Sequence, residues 1–120
     1  MKCPRKKPKK WVNKHTESAI LTDCLHWLKA NGVYCWRNNT GASFINGTLI
    51  RYGFIGSADI LGLCKSGRFL AIECKSPGGS QSPAQEVFQG EVEKNGGLYL
   101  LVTSVVQLET RRREITRKEQ

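Results

Sequence analysis

The fold is decided by Phe69-Leu70-Ala71-Ile72-Glu73-Cys74-Lys75, a run that predicts a β-strand. Because side chains alternate across a sheet, the even-numbered residues share one face and the odd-numbered residues share the other. Apolar residues on both faces predict a central strand, yet the odd face ends with Glu73 and Lys75. Burying such charges costs several kcal/mol per ion unless they are paired or bound to a metal. Three explanations are open: a metal site, a plain ion pair at the end of the strand, or an edge strand with one solvated face.

A second acidic residue points to the same end of the sheet. Asp59 opens the apolar stretch Ile60-Leu61-Gly62-Leu63, and residues 65–68 are typical of a turn. If the two strands pair through that turn, Asp59 comes opposite the end of the other strand, near Glu73. Two carboxylates and Lys75 would then converge, and such a group can hold Mg²⁺ or Mn²⁺, which favour oxygen ligands. Lys75 would position an attacking water or offset charge at phosphorus, so the pattern favours phosphodiester hydrolysis.

The rest of the chain predicts a mixed sheet flanked by helices. The predicted helices run from the N-cap Thr16 to about Asn31, from Ser82 to about Asn95, and from near Val105 onward. The predicted strands are Val33–Arg37, two strands joined at Asn46-Gly47, residues 59–63, residues 69–75, and Tyr99–Thr103. The order α-β-β-β-β-β-α-β-α is typical of an α/β fold.

Glu17 falls on the apolar stripe of the first predicted helix, with Ile20, Leu21, Cys24, Leu25 and Leu28. A carboxylate on the side of a helix that faces the core needs a reason, such as a metal ion. Glu17 is also in the first turn, where a carboxylate can simply reach solvent beside the helix N-terminus. Both interpretations are open at this point.

The cysteines and histidines are predicted to be structural rather than metal-binding. The five cysteines are odd in number and form no CxxC pair, which disfavours a disulfide framework or a zinc site. Four of them lie in apolar surroundings, where a free thiol behaves as a small hydrophobe: Cys24, Cys35, Cys64 and Cys74. His15 and His26 are expected on the surface of the first helix.

The positive charge is concentrated at the two ends of the chain. The net charge is +9, and residues 1–14 contribute +7, residues 15–110 contribute −1 and residues 111–120 contribute +3. We therefore predict a basic arm at 1–14, one domain at 15–110 and a basic tail at 111–120. Basic tails suit a nucleic-acid partner, because Lys and Arg replace the counterions condensed on phosphates. The alternatives are a solubilising or disordered tail or a nuclear-type address.

The chain carries no pattern for export or for membrane insertion. It has no run of about 20 apolar residues, and the basic N-terminus lacks the apolar segment of a signal peptide. We expect a cytoplasmic protein of phage or bacterial type that has no membrane partner.

The ordered set of motifs resembles a known nuclease family. Gly56-Ser57-Ala58-Asp59 followed by Glu73-Cys74-Lys75 resembles the PD-(D/E)XK nuclease signature. The wider sequence resembles the virus-type replication-repair nuclease (VRR-NUC) domain over roughly Glu17 to Leu108. The matching segments are 36–42, 50–53, 56–62, 67–75, Ser82-Pro83-Ala84-Gln85 and Gly96-Gly97. One departure is Ser57-Ala58 in place of a proline before the aspartate.

The resemblance implies a restriction-endonuclease-like α/β/α core with a central mixed sheet flanked by helices. It assigns Asp59, Glu73, Glu17 and the backbone carbonyl of Cys74 to a Mg²⁺ or Mn²⁺ site. It makes Lys75 the catalytic lysine, and Gln85 on the following helix a contact that supports the site or the substrate.

The resemblance also implies a DNA endonuclease, and members of this size resemble dimeric Holliday-junction resolvases. We therefore expect a homodimer that cuts branched DNA, with the hairpin at Asn46-Gly47 either at the dimer interface or in the core. The other functions considered are a non-catalytic nucleic-acid-binding module and a flap- or end-trimming subunit of a larger repair or phage machine. Further DNA contacts are expected from Arg37, Asn39 and Arg51, unless these are ordinary solvated residues, and from Lys6, Lys7, Lys9 and Lys10.

Overall fold

A computed structural model describes residues 16–118. The predicted arm at 1–14, with Lys6, Lys7, Lys9 and Lys10, lies outside these residues, and so do Cys3 and His15. Among residues 16–118, no helix is both long and apolar enough to cross a lipid bilayer.

The chain forms an α/β domain with a mixed sheet and flanking helices, which confirms the predicted fold class at this level. The helices are α1 (Glu17–Ala30), α2 (Pro83–Lys94), α3 (Val106–Thr110) and α4 (Arg112–Thr116). The strands are β1 (Tyr34–Arg37), β2 (Gly41–Ile45), β3 (Thr48–Tyr52), β4 (Ile60–Leu63), β5 (Phe69–Cys74) and β6 (Leu98–Val102). Every predicted strand and both long helices are present.

The main sheet has the strand order β1-β4-β5-β6. β4 pairs antiparallel with both β1 and β5, whereas β5 and β6 are parallel. β5 is therefore an interior strand, as predicted, and the edge-strand explanation for its charged residues is excluded. In the β4–β5 register Ile60 pairs with Ile72, so Asp59 and Glu73 follow directly at the same end of the two strands.

The two faces of β5 are covered by different helices. The even face, with Leu70, Ile72 and Cys74, packs in the main core with Leu28 of α1 and other residues. On the odd face Ala71 packs in a second, smaller cluster, with Val92 of α2 and Tyr99 of β6 among its members. The alternation predicted for residues 69–75 is therefore confirmed, and it directs Glu73 to the side of the sheet that α2 covers.

α1 begins where the sequence predicts. The Thr16 hydroxyl accepts a hydrogen bond from the Ala19 backbone N–H at 3.1 Å, which supplies the N-cap. The predicted apolar stripe is in the core: Ile20, Leu21, Cys24 and Leu28 are buried and Leu25 is partly buried. The four cysteines of residues 16–118 are buried and free, which confirms that they are structural thiols.

The predicted hairpin forms, but as a separate two-stranded sheet. Asn46 and Gly47 have positive φ values of 52° and 79°, as a type I′ turn requires. Every residue of β2 and β3 is exposed, including Phe44, Ile45, Leu49 and Ile50. The interpretation that places the hairpin in the core is therefore wrong for a single chain.

The C-terminal region differs from the prediction, because two short helices replace one. Ile115 of α4 is fully buried and joins the main core, and its carbonyl accepts a hydrogen bond from the Lys65 N–H.

Arg112 fastens the start of α4 to α3 and α1. It donates hydrogen bonds to Glu109 at 2.7 and 2.9 Å and to Asn31 Oδ1 at 2.7 Å. Its guanidinium also lies 5.2 Å from the centroid of the Trp27 ring. The packed structure thus continues to Thr116, past the boundary at residue 110 that the charge pattern predicts.

Gly62 allows β1 and β4 to approach closely, and we expect Gly62→Ala to destabilise the fold by about 1–3 kcal/mol. A Cβ at this position would lie 2.4 Å from the Tyr34 carbonyl oxygen and 2.7 Å from the Cys35 Cβ. The matched control is Gly90→Ala on α2, where a Cβ would meet nothing within 4 Å. This change should stabilise the helix by roughly 0.5–1 kcal/mol. Urea unfolding measures both, and equal midpoints for the two variants would contradict the close approach.

Candidate active site

Asp59 is held at the start of β4 by backbone contacts on both sides. Its carbonyl accepts a hydrogen bond from the Asn38 N–H at 2.7 Å, and its side-chain Oδ2 accepts one from the Cys74 N–H at 2.8 Å. The loop before it approaches α2 closely, because a Cβ on Gly56 (φ 86°) would lie 2.5 Å from the Ala84 carbonyl oxygen. Only glycine fits there without strain. These contacts fix the Asp59 carboxylate beside the end of β5.

Glu73 is the one charged residue of the described chain that is buried, with 3% of its surface exposed. Its Oε2 accepts a hydrogen bond from Gln85 Nε2 at 2.8 Å and lies 3.7 Å from Lys75 Nζ. Its Oε1 is also buried, and no group within residues 16–118 hydrogen-bonds to it. A plain Glu73–Lys75 ion pair therefore does not account for this carboxylate, because one buried oxygen is left without a donor.

Gln85 reaches Glu73 because the start of α2 fixes both ends of its side chain. Ser82 is the N-cap, and its hydroxyl accepts from the Gln85 N–H at 3.2 Å, while Gln85 Oε1 accepts from the Ser82 N–H at 2.8 Å. This reciprocal capping box leaves Nε2 free to point at Glu73. The helix start thus positions the amide donor of Gln85 toward the site.

Burial raises the pKa values of both carboxyl groups, and the charges of neighbouring carboxylates add to the effect. The pKa of Glu73 is raised to about 7, first by burial and then by the nearby negative charge of Asp59, against the opposing charge of Lys75. Burial also raises the pKa of Asp59, while the hydrogen bond from the Cys74 N–H acts in the opposite direction. A site that gathers like charges in a buried place favours a cation as a third partner.

Glu17 lies at the solvent side of the site, and its role as a metal ligand stays a prediction. Its side chain is exposed in the first turn of α1, although its charge contributes to raising the pKa of both Asp59 and Glu73. Within residues 16–118 no group of three or more His, Cys, Asp or Glu side chains is close enough to hold a metal ion. The structure therefore brings together two carboxylates and Lys75 and leaves Glu17 at the solvent side.

Cys74 contributes its backbone rather than its thiol to the site. Its N–H holds Asp59, whereas its thiol is buried on the opposite face of the sheet, where a contact with the Cys24 thiol raises its pKa. The role of its carbonyl as a metal ligand stays a prediction.

The predicted DNA contacts near the site are exposed residues. Arg37 ends β1, and its positive charge lowers the pKa of Asp59, so it lies within electrostatic range of the site. Asn39 and Arg51 are exposed, and their roles as DNA contacts stay predictions. The sequence missed Asn38, whose amide donates to Ser57 Oγ at 2.7 Å and to the Ala58 carbonyl at 2.9 Å. The one sequence signal for these two hydrogen bonds is the position of Asn38, between the end of β1 and Thr40-Gly41.

Gln81 and Tyr99 form a second polar contact on the α2 side that the sequence did not indicate. Gln81 Nε2 donates to the Tyr99 hydroxyl at 3.1 Å and to Gln89 Oε1 at 3.0 Å. Burial raises the pKa of Tyr99 to about 12, with a smaller contribution from the charge of Glu73. The loop between β5 and α2 is thus fastened to both α2 and β6.

The donor set fits a small divalent cation. Mg²⁺ is commonly held by one or two protein carboxylates, with waters and substrate phosphates completing its coordination, so a third acidic ligand is not required. Asp59 and Glu73 supply oxygen ligands, and the unpartnered Glu73 Oε1 is a buried acceptor that a cation would satisfy. Carboxylate oxygens are ligands that suit Mg²⁺ and Mn²⁺.

We expect Gln85→Glu to separate the two roles of Gln85. A glutamate at this position keeps the capping box with Ser82 but replaces the donor to Glu73 with a repelling carboxylate. Thermal stability measured at pH 5, where Glu73 is protonated because its pKa is raised to about 7, should stay close to that of the wild type. Affinity for Mn²⁺ should fall on the order of 10- to 100-fold. Gln85→Ala, which loses both contacts, should lose both stability and affinity; unchanged Mn²⁺ affinity in both variants would contradict the role of Gln85 at the site.

Comparison with known proteins returned no match to a protein-family model, to a curated protein or to a solved structure.

Proposed function

We propose that this chain is a DNA endonuclease that depends on Mg²⁺ or Mn²⁺ and hydrolyses phosphodiester bonds. The fold would be the restriction-endonuclease-like α/β/α core, and the family the VRR-NUC branch of the PD-(D/E)XK nucleases. One observation carries the proposal: the buried Glu73 carboxylate, with one unpartnered oxygen, shares a sheet end with Asp59 and Lys75. α1 and α2 packing on opposite faces of the mixed sheet supports the α/β/α core.

In this proposal each residue has a distinct task. The bound cation would supply Lewis-acid polarisation of the scissile phosphate. Asp59, held by the Cys74 N–H, and Glu73, held by Gln85, would keep two carboxylates at fixed positions for that cation. Lys75 would place its ammonium group next to the phosphate, where it orients the attacking water and offsets developing negative charge. The Glu73–Lys75 distance of 3.7 Å is compatible with a lysine that can turn toward substrate.

Branched DNA is the proposed substrate, and a homodimer is the proposed assembly. A four-way junction needs two symmetric cuts, which a two-fold dimer with two sites can make. The net charge of +9 supports a polyanionic partner. The hairpin of β2 and β3 supports an interface, because an isolated two-stranded sheet with exposed Phe44, Ile45, Leu49 and Ile50 gains stability by being covered.

A cleavage assay tests the proposed function. Purified protein is incubated with labelled junction, flap and linear duplex DNA in Mg²⁺, Mn²⁺ or EDTA, beside the variants Asp59→Ala and Glu73→Ala. We expect metal-dependent cleavage, strongest on the junction, and its loss in both variants. Glu86→Ala, which removes an exposed acid of α2, is the matched control and should cleave normally. Cleavage in EDTA, or cleavage that survives both site variants, would contradict the proposal.

A non-catalytic nucleic-acid-binding module is the second candidate. It is favoured by the lack of a three-ligand metal cluster within residues 16–118 and by the concentration of positive charge at the chain ends. It predicts DNA binding that is unchanged by EDTA and by Glu73→Ala, with no cleavage in any metal. If the protein cleaves flaps or free ends but leaves the junction uncut, this result would instead favour a flap- or end-trimming subunit of a larger machine.

A further inference from the structure

One half of the main sheet is uncovered on the face that carries the candidate active site. At the middle of β5 and β6 this face is covered by α2, where Ala71, Val92 and Tyr99 are buried, whereas Leu101 of β6 is 41% exposed. Toward β1 the same face is open, and its exposed apolar side chains are Tyr34 (72% exposed), Trp36 (45%), Leu63 (41%) and Phe69 (39%). Exposed apolar groups that line up across neighbouring strands mark an interaction surface more strongly than scattered ones do.

Strand register places the two aromatic rings on the same face as the carboxylates. Trp36 pairs with Leu61, and Tyr34 pairs with Leu63. Because every second residue of a strand points to the same face, Leu61 and Leu63 share the face of Asp59. Asn38, two residues beyond Trp36, bonds to the Asp59 backbone. Two residues of a strand span about 7 Å, so the Trp36 row is the next row along the sheet from the carboxylates.

The arrangement of the rings suits flat, uncharged groups. The centroids of Tyr34 and Trp36 are 5.9 Å apart and the ring planes are inclined at 66°, so the two rings do not stack face to face on each other. Both side chains are substantially exposed, which leaves π surface open to solvent. Unpaired nucleobases stack on such rings with little dependence on sequence.

The surrounding charge and the size of the patch favour DNA over a protein partner. β1 carries no acidic residue and ends in Arg37, whose positive charge acts on Asp59, so a phosphate backbone at this end of the sheet would meet a nearby cation. Four exposed apolar side chains are far fewer than the roughly 20–30 residues per side that a stable protein interface uses.

We propose that Tyr34 and Trp36 form a stacking platform for unpaired bases of the DNA strand whose phosphodiester lies at Asp59 and Glu73. This inference rests on the proposed function and deepens it, because it names the substrate class. Among branched substrates, a junction with unpaired bases next to the scissile bond should therefore bind more tightly than a fully paired junction. A continuous duplex cannot use the platform, since its bases are already stacked and paired.

Binding measured without cleavage tests the platform. Fluorescence anisotropy in EDTA compares the affinity for labelled oligothymidine with that for a duplex of the same length. Tyr34→Ala and Trp36→Ala should each weaken oligothymidine binding roughly tenfold, while duplex affinity and the salt dependence of both stay unchanged. Trp36→Phe should retain most of the affinity. Val106→Ala, which trims an exposed apolar residue of α3, is the control and should change neither affinity.

The outcomes separate the platform from the nuclease. An enzyme that cleaves DNA but binds oligothymidine equally well with and without the rings would overturn the platform and leave the nuclease proposal standing. If oligothymidine binding weakens in Tyr34→Ala and Trp36→Ala but the protein cleaves no DNA in any metal, the result would support the platform and overturn the nuclease proposal. A shift of molecular mass in gel filtration on Tyr34→Ala or Trp36→Ala would show a second copy on this face and overturn the platform. Because Tyr34 is highly exposed, its variant keeps the test valid if Trp36→Ala fails to fold.

Discussion

Glu73→Gln should melt at a higher temperature than the wild-type protein at pH 8 in EDTA, and it should no longer cleave DNA. The glutamine has nearly the shape of the glutamate, and its amide oxygen can still accept the Gln85 hydrogen bond, but it is neutral. In the wild type the ionised carboxylate is buried with one oxygen unpartnered. Removing that charge relieves the desolvation cost, while the loss of a carboxylate ligand removes the proposed cation site.

The pH dependence of this effect has a defined sign. Folding raises the pKa of Glu73 from 4.5 to about 7. Between these values the folded protein holds a proton that the unfolded chain has released, so wild-type stability should fall as pH rises from 4.5 to 7, by about 3 kcal/mol, and then level off. Glu73→Gln should lack that fall. Parallel stability curves for the two proteins between pH 4.5 and pH 8 would contradict the raised pKa.

Lys75→Ala should lower kcat on the order of a hundredfold to a thousandfold, with a small change in KM, because the ammonium group is proposed to act on charge that develops in the transition state. It should also destabilise the protein at pH 8 by about 1 kcal/mol or more, because Glu73 loses its nearby cation. Single-turnover cleavage and urea unfolding measure the two effects.

Lys94→Ala is the matched control for Lys75→Ala. Lys94 Nζ lies 3.7 Å from Glu91 Oε2, the same distance as in the Lys75–Glu73 pair, but both partners are exposed. Exposed pairs contribute little, so this variant should keep its activity and change stability by less than about 0.5 kcal/mol. Equal effects of the two lysine variants, in either measurement, would mean that Lys75 has no special role.

The parts of the fold that local patterns determine were predicted well from the sequence. The orientation of residues 69–75 follows from a period of two that depends on nothing distant. The juxtaposition of Asp59 and Glu73 follows from one short turn at 65–68, since an antiparallel pair brings the start of one strand to the end of the next. Caps at Thr16 and Ser82 fixed the helix starts because their hydroxyls satisfy backbone N–H groups locally.

The features that tertiary contacts determine were not predictable in the same way. No glycine or proline marks the break at Arg111, and Arg112 there contacts Trp27 and Asn31, which are distant in sequence. The helical periodicity of the sequence did not decide whether Glu17 faces the core, because a side chain in the first turn can reach solvent beside the helix N-terminus. In the structure Glu17 is exposed. The bond from Asn38 to Ala58 depends on the pairing of β1 with β4, which no local signal encodes.

The juxtaposition of Asp59, Glu73 and Lys75 was predicted from the sequence, whereas the contacts of Asn38 and Gln81 were not. Asp59, Glu73 and Lys75 stood out because buried charge on a central strand is costly and needs a cause. The position of Gln85 against Glu73 came from the family resemblance, since a glutamine at the start of a helix is compatible with many roles. Asn38 and Gln81 carry no charge, so their part in bracing the site has no comparable signature in sequence.

Binding of Mn²⁺ followed by electron paramagnetic resonance tests the proposed cation site at Asp59 and Glu73 without DNA and without turnover. The wild-type protein should bind Mn²⁺ at pH 8 and lose affinity as pH falls through about 7, when Glu73 takes up a proton. Glu73→Gln and Asp59→Asn should bind poorly at every pH, whereas Glu86→Ala should match the wild type. Equal Mn²⁺ binding by all four proteins would contradict a cation site at Asp59 and Glu73.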